Sequence, residues 1–204
     1  MLKYSMACLV VLAGCASTPP SQKATPTSGS APVKQTHGLP MPGSAQAGSM
    51  PRVVGKATDA DRAALLDRVR GLEGEWLMQG EDGTWNVTCV FKTIAGGSAV
   101  REIMFPGTPH EMTNLYHMDG SSLVLTHYCA AGNQPKMRAK AATGKGPIAF
   151  EFDSVTNLTQ PEETYMGSMT LVMPDADRLE AHWMHHKAGN KMGEPMIFSM
   201  KRKK

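Results

Sequence analysis

The chain has 204 residues, enough for one core of ordinary size plus extensions, and a formal net charge of +3. All 18 acidic residues follow Thr58, whereas five basic ones (Lys3, Lys23, Lys34, Arg52 and Lys56) precede it. From Thr58 onward 16 basic residues face 18 acidic ones, so the foldable part is mildly acidic, which argues against a nucleic-acid groove.

In chain order, Lys3 supplies a short positive region and Met6 to Ala13 an apolar run too short to span a bilayer. The run closes on Leu12-Ala13-Gly14-Cys15, which resembles the lipobox of bacterial lipoproteins. That resemblance implies a signal peptide over residues 1–14, acylation of Cys15 and anchoring to a membrane of the bacterial cell envelope. Ala16 and Ser17 after the Cys, rather than Asp, imply the outer membrane. Several acyl chains would make the attachment essentially permanent. Residues 15–57 read as the lipidated Cys and a tether. Between 16 and 50, Pro, Ser, Thr, Gly and Ala make up 25 of 35 residues, too little apolar surface to offset ordering entropy. Of the four cysteines, Cys8 leaves with the signal and Cys15 is acylated. Cys89 and Cys129 remain in a compartment that permits a disulfide, and their spacing leaves the pairing open.

The folded domain is expected over 58–204. Thr58-Asp59-Ala60-Asp61 supplies capping residues, and Leu65, Leu66, Val69 and Leu72 recur at helical spacing. Together they predict one helix of about 12 residues with a buried stripe. After Gly74 only strands are predicted, at 75–80, 84–93, 97–105, 111–118, 121–128, 136–142, 147–153, 165–173, 178–187 and 191–201. Turn residues separate them, among them Gly96-Gly97, Asp119-Gly120, Gly144-Lys145-Gly146, Pro174-Asp175 and Gly189-Asn190. About ten short antiparallel strands joined by tight turns predict an all-β, up-and-down barrel, with a two-sheet sandwich as the alternative.

Asp119-Gly120 is a strong hairpin signal. As a two-residue loop it pairs Tyr116 with Leu123, Asn114 with Leu125 and Met112 with His127. Asn114, Tyr116 and His127 then face inward with Met112, Met118, Leu123 and Leu125. In the neighbouring strand Glu102 faces inward if Gly96-Gly97 is a two-residue loop, and Arg101 if the loop is one longer. Trp85, Val87, Cys89 and Phe91 alternate inward, as do Ile148, Phe150 and Phe152. A loop at Gly189-Asn190 pairs Trp183 with Met196 and sets His185 opposite Glu194 on the inner face.

Gly74-Glu75-Trp76 after a short helix resembles the Gly-x-Trp that opens lipocalin-like (calycin) barrels. The block from Ser98 to Met137, with PGTPHEM, YHMDG and LTHYCAAGNQP, resembles a group of uncharacterised bacterial lipocalin-like domains. The resemblance covers roughly residues 70 to 200. It implies a barrel with a central cavity, and brings no settled activity or ligand. Haem-binding nitrobindin-like barrels share the Gly-x-Trp, but Leu77-Met78-Gln79-Gly80 departs from their continuation.

Four groups of residues are candidates for chemistry. Asn114, Tyr116, His127 and one of Arg101 or Glu102, joined by His185, can orient a small, partly apolar ligand, with Trp76, Trp85, Phe150 and Trp183 lining the wall. The alternative is a hydrogen-bonded plug. The loop from Cys129 to Pro135 offers Asn133 and Gln134 at one rim, either to a ligand or to its own backbone. His127-x-Cys129, His182, His185, His186 and 16 methionines carry metal-ligating atoms, but strand alternation splits His182 from His185. Cys129 with His127 is a conceivable nucleophile and base, without any nucleophile elbow, His-Glu-x-x-His or phosphate loop. The reading is a membrane-anchored lipoprotein whose barrel binds a small molecule, non-catalytic and without a cofactor. A metal- or haem-binding barrel using His127 and His185, and a structural envelope protein with a filled barrel, are the alternatives.

Overall fold

A computed structural model describes residues 53–140 and 146–204. The signal, Cys15, the tether to residue 50 and the turn residues Gly144 and Lys145 lie outside the described residues. The ten predicted strands are all present. They are β1 (Gly74–Gln79), β2 (Trp85–Ile94), β3 (Ala99–Met104), β4 (Met112–Asp119), β5 (Ser122–Tyr128), β6 (Gln134–Lys140), β7 (Ile148–Thr156), β8 (Thr164–Val172), β9 (Arg178–Lys187) and β10 (Asn190–Arg202). Each is antiparallel to its neighbours in sequence, and β1 pairs with β10 through Trp76↔Arg202 and Leu77↔Lys201. The result is a closed, ten-stranded, up-and-down β-barrel without a free sheet edge at the seam.

One end is capped by helix, though not by the single helix expected. Helix α1 (Asp59–Ala64) and helix α2 (Leu66–Arg70) break at Leu65, whose φ −124° and ψ −79° are not helical. Thr58 caps α1 as predicted, its Oγ1 accepting from the Asp61 amide at 3.0 Å. Helices this short are held by packing rather than propensity. The break turns Leu65, Leu66, Val69 and Leu72 together into the barrel end, and all four are buried. The Trp76 indole donates to the Leu72 carbonyl at 2.8 Å, and Arg202 clasps the same end by donating to the carbonyls of Gly71, Glu73 and Ala176.

Inward faces follow the predicted alternation except where a strand carries extra residues. In the β4–β5 hairpin the loop is Gly120-Ser121 rather than Asp119-Gly120. Pairs move on by one residue in each strand, Asn114 to His127 and Tyr116 to Leu125. Positive φ falls on Gly120 and not on Ser121, the pattern of a type II′ turn instead of I′. Every side chain keeps its expected face, because the displacement is even. In β2 it is not. Trp76 pairs with Cys89 and Leu77 with Val87, so Thr88 is an inserted residue. The bulge reverses the alternation beyond it: Cys89 and Phe91 point inward, but Trp85 turns out. Trp85 is 45% exposed with Lys201 Nζ 3.3 Å over its ring, which removes it from the predicted wall.

Further irregularities reshape β7 to β10. In β10 residues 193–195 oppose Met184 alone, between Met192↔His185 and Met196↔Trp183, an excess of two residues. The β9–β10 loop is Ala188-Gly189 rather than the predicted Gly189-Asn190, with Asn190 paired to Lys187, so His185 faces Met192 and not Glu194; the two extra residues then restore the predicted Trp183–Met196 pair. In β8 Gly167 is the extra residue, between Met166↔His185 and Ser168↔Met184. Strand β7 pairs with β8 only at Ile148, Ala149 and Phe150. Beyond them it parts from β8 but stays paired with β6 as far as Thr156, with Asp153 as an extra residue, and Phe152, predicted to face inward, is 36% exposed.

Candidate functional site

The register around Gly96-Gly97 decides between Arg101 and Glu102. Phe91 pairs with Glu102 and Glu102 with Asn114, so Glu102 points inward and Arg101 is exposed. Three strands thereby deliver Glu102, Asn114, Tyr116 and His127 to one place in the barrel. Asn114 Nδ2 donates to Glu102 Oε2 at 2.7 Å, and the Tyr116 hydroxyl donates to the same oxygen at 2.5 Å. Asn114 Nδ2 also reaches Met104 Sδ at 3.4 Å. With its amide nitrogen so committed, Asn114 presents Oδ1 to His127 Nδ1 at 2.7 Å, which puts the proton on Nδ1. The donors run in one direction, His127 to Asn114 to Glu102.

Burial sets the protonation of this chain. It pushes the Glu102 carboxyl up, against the hydrogen bonds from Asn114, Tyr116 and the Cys89 thiol. It pushes the Cys89 thiol and Tyr116 phenol well above their usual ranges, with the neighbouring Glu102 adding to both. It lowers His127 to about 4. Among the described residues no cation is hydrogen-bonded to Glu102, so the carboxyl depends on its neutral donors. Cys89 lies diagonally across the β2–β3 hairpin from Glu102, because Cys89 pairs with Met104 and Phe91 with Glu102, the register of a two-residue Gly96-Gly97 loop.

The predicted ligand wall is closely packed. Trp76, Tyr116, Asn114, Leu123, Leu125 and Met137 have no accessible surface. A chamber wide enough for one water would leave accessible area on its walls, so none borders these side chains. Phe150 meets Tyr116 edge-on at 5.9 Å, and Trp183 lies against the His127 ring at 5.0 Å. Buried Trp183 Nε1 makes no hydrogen bond to the protein. His185 is half-buried near the β9–β10 turn, outside the hydrogen-bonded chain.

Asn133 and Gln134 mainly serve their own loop. Gln134 Nε2 donates to the Gly132 carbonyl at 2.8 Å, Thr156 Oγ1 donates to Gln134 Oε1, and buried Asn133 reaches the Thr164 carbonyl at 3.4 Å. Cys89 and Cys129 are both free thiols. His182 Nε2 donates to Glu180 Oε2 at 2.8 Å, whereas His186 is buried against Ser168 Oγ at 3.2 Å. Among the described residues no three His, Cys, Asp or Glu side chains converge as a metal site.

Sequence reasoning missed two places. Phe152, Tyr165 and His186 form a three-ring cluster with centroids 5.2 to 6.0 Å apart, where β7 parts from β8. The His186 ring lies on Gly167: a Cβ there would sit 2.2 Å from its Cγ. The second place is a cleft of about 460 Å³ at the helix-capped rim, between the residues preceding α1 and the β2–β3 and β4–β5 turns. Val54, Lys56, Arg62, Leu66, Met118 and Gly120 are among its walls. None of the predicted ligand residues lines it. Loop residues from separate hairpins build this cleft, so no periodic pattern announces it.

No protein-family model matches the chain, and no curated protein matches it either.

Proposed function

We propose that the chain is a lipoprotein of the bacterial cell envelope, acylated on Cys15 and probing its surroundings on the 16–50 tether. In this reading its barrel is a solid scaffold that binds a small, partly apolar molecule at the rim instead of along its axis. The observation that carries it is the pairing of a filled middle, where Asn114 and Tyr116 have no accessible surface, with an open rim cleft of ligand size. Asn114, Tyr116, His127 and Glu102 then stabilise the scaffold and do not touch the ligand. The test is native mass spectrometry of protein purified from its own envelope. A co-purifying mass on the intact protein that disappears in Met118→Trp, which fills the cleft, supports rim binding. A mass that persists in Met118→Trp, or no small molecule at all, refutes it.

A second reading keeps the ligand inside. Trp183 Nε1 is a buried donor with no acceptor, and such an orphan costs about 1–3 kcal/mol. The partly buried Met78, Met112 and Met166 packed against the core are flexible enough to repack and admit an acceptor. Haem or metal held by His127 and His185 has less behind it, because His127 Nδ1 is committed to Asn114 and its ring to Trp183.

A further inference from the structure

The rim cleft has a chemical bias. Arg62 and Lys56 line it together with apolar Val54, Leu66 and Met118. Its one acidic wall residue, Asp119, is already held by Arg138 Nη1 at 2.6 Å. Arg62 is loosely engaged: Nη2 stands 3.3 Å from exposed Asp59, and Nε is 3.7 Å from Asp67 Oδ2, beyond hydrogen-bond reach. Asp67 spends its other oxygen on Arg70 at 2.9 Å. Arg62 Nε is shielded from solvent and makes no hydrogen bond, an unfavourable state for a guanidinium N–H. The Arg62 side chain as a whole is 41% exposed, so the rest of it can meet an anionic oxygen in the cleft, and the planar fork of arginine suits carboxylate and phosphate. The turn walls leave room for such a head, since a side chain on Gly96 would meet nothing within 4 Å.

We infer that the cleft takes a small amphiphile, with Arg62 and Lys56 receiving an anionic head and Val54, Leu66 and Met118 its short apolar chain. This rests on reading the rim as the ligand face, and adds the ligand's charge.

The test is isothermal titration of octanoate and of octanol into the full chain carrying Cys15→Ser, which needs no detergent. Octanoate is expected to bind at least tenfold more tightly than octanol. Arg62→Gln should erase that preference, Arg62→Lys should retain part of it, and Met118→Trp should abolish binding of both. Circular dichroism melts of each variant identify one that fails to fold, in which case the comparison rests on the octanoate–octanol ratio of the parent chain. Equal binding of the two probes overturns the anionic head while leaving a rim ligand standing. Binding of neither probe, with anionic phospholipid vesicles bound instead, overturns the small amphiphile. Binding of neither probe, together with no co-purifying mass, removes the rim reading as well.

Discussion

At mid-barrel the Asn114 amide is fully engaged, its nitrogen donating to Glu102 and its oxygen accepting from His127. At the rim, Arg62 Nε is equally shielded but makes no hydrogen bond, standing 3.7 Å from Asp67 Oδ2, while the side chain as a whole stays 41% exposed. Both are strongly polar groups taken out of water, and they differ in what surrounds them. Asn114 sits on a paired strand among side chains delivered by its neighbours in register. Arg62 sits on a two-turn helix facing loops. A saturated polar network stabilises a single structure, whereas a partly exposed cation beside open space leaves a binding opportunity.

Breaking the saturated network should have the largest effect. Asn114→Leu strands Glu102 and His127 without their shared partner, and should cost about 3 kcal/mol or more in urea unfolding. Octanoate affinity at the rim should stay within twofold in the fraction that folds. A cost under 1 kcal/mol would mean that the network is not what holds the middle together.

Acid should act on the same network with a predictable sign. His127 stays neutral in the fold down to about pH 4, while in the unfolded chain it takes a proton near its usual 6.5. Between those values the unfolded state binds more protons, so His127's contribution is complete above pH 6.5 and is lost as pH falls toward 4. The full span is worth about 3 kcal/mol. Glu102 has the opposite slope. Its raised folded value means stability is greatest below the ordinary 4.5 and declines as pH rises from there through the folded value. Urea midpoints from pH 4 to 8 should show the acid loss in the parent, and His127→Gln should flatten it.

A smaller effect separates the barrel wall from its flared seam. Gly167→Ala drives a methyl into the His186 ring, which Phe152, Tyr165 and Ser168 hemmed in. The overpacking should cost about 1–3 kcal/mol, seen as a lower thermal midpoint. An unchanged midpoint would show the ring free to swing away. Smallest of all, Trp85→Ala should lose at most about 1 kcal/mol, the worth of an exposed cation–π contact with Lys201. Trp183→Ala, in the packed interior, should lose about 3–5 kcal/mol by the same measurement.

Much of this architecture is legible from residue order. Ten alternating runs punctuated by turn residues predict ten strands, and Asn114, Tyr116 and His127 fall on one face by period two alone. The slip of the β4–β5 loop to Gly120-Ser121 left that face intact, because moving a pair by one residue in each strand cannot exchange the faces. Glu102 was one of two options that hung on a loop length. Trp85 was misplaced because an extra residue at 88 alters the count without any mark in composition, and His185's partner because the β9–β10 loop is Ala188-Gly189, a slip that the two extra residues within 193–195 undo before Trp183.

The amino-acid sequence by itself determined where strands begin, where they turn and which side chains alternate, since pleat and turn chemistry act over a few neighbouring residues. Only the tertiary structure decided that the axis is full, that the helix breaks at Leu65 and that the open space lies at the rim. Those outcomes depend on volumes and extra residues summed around a closed ring, a quantity no local window contains.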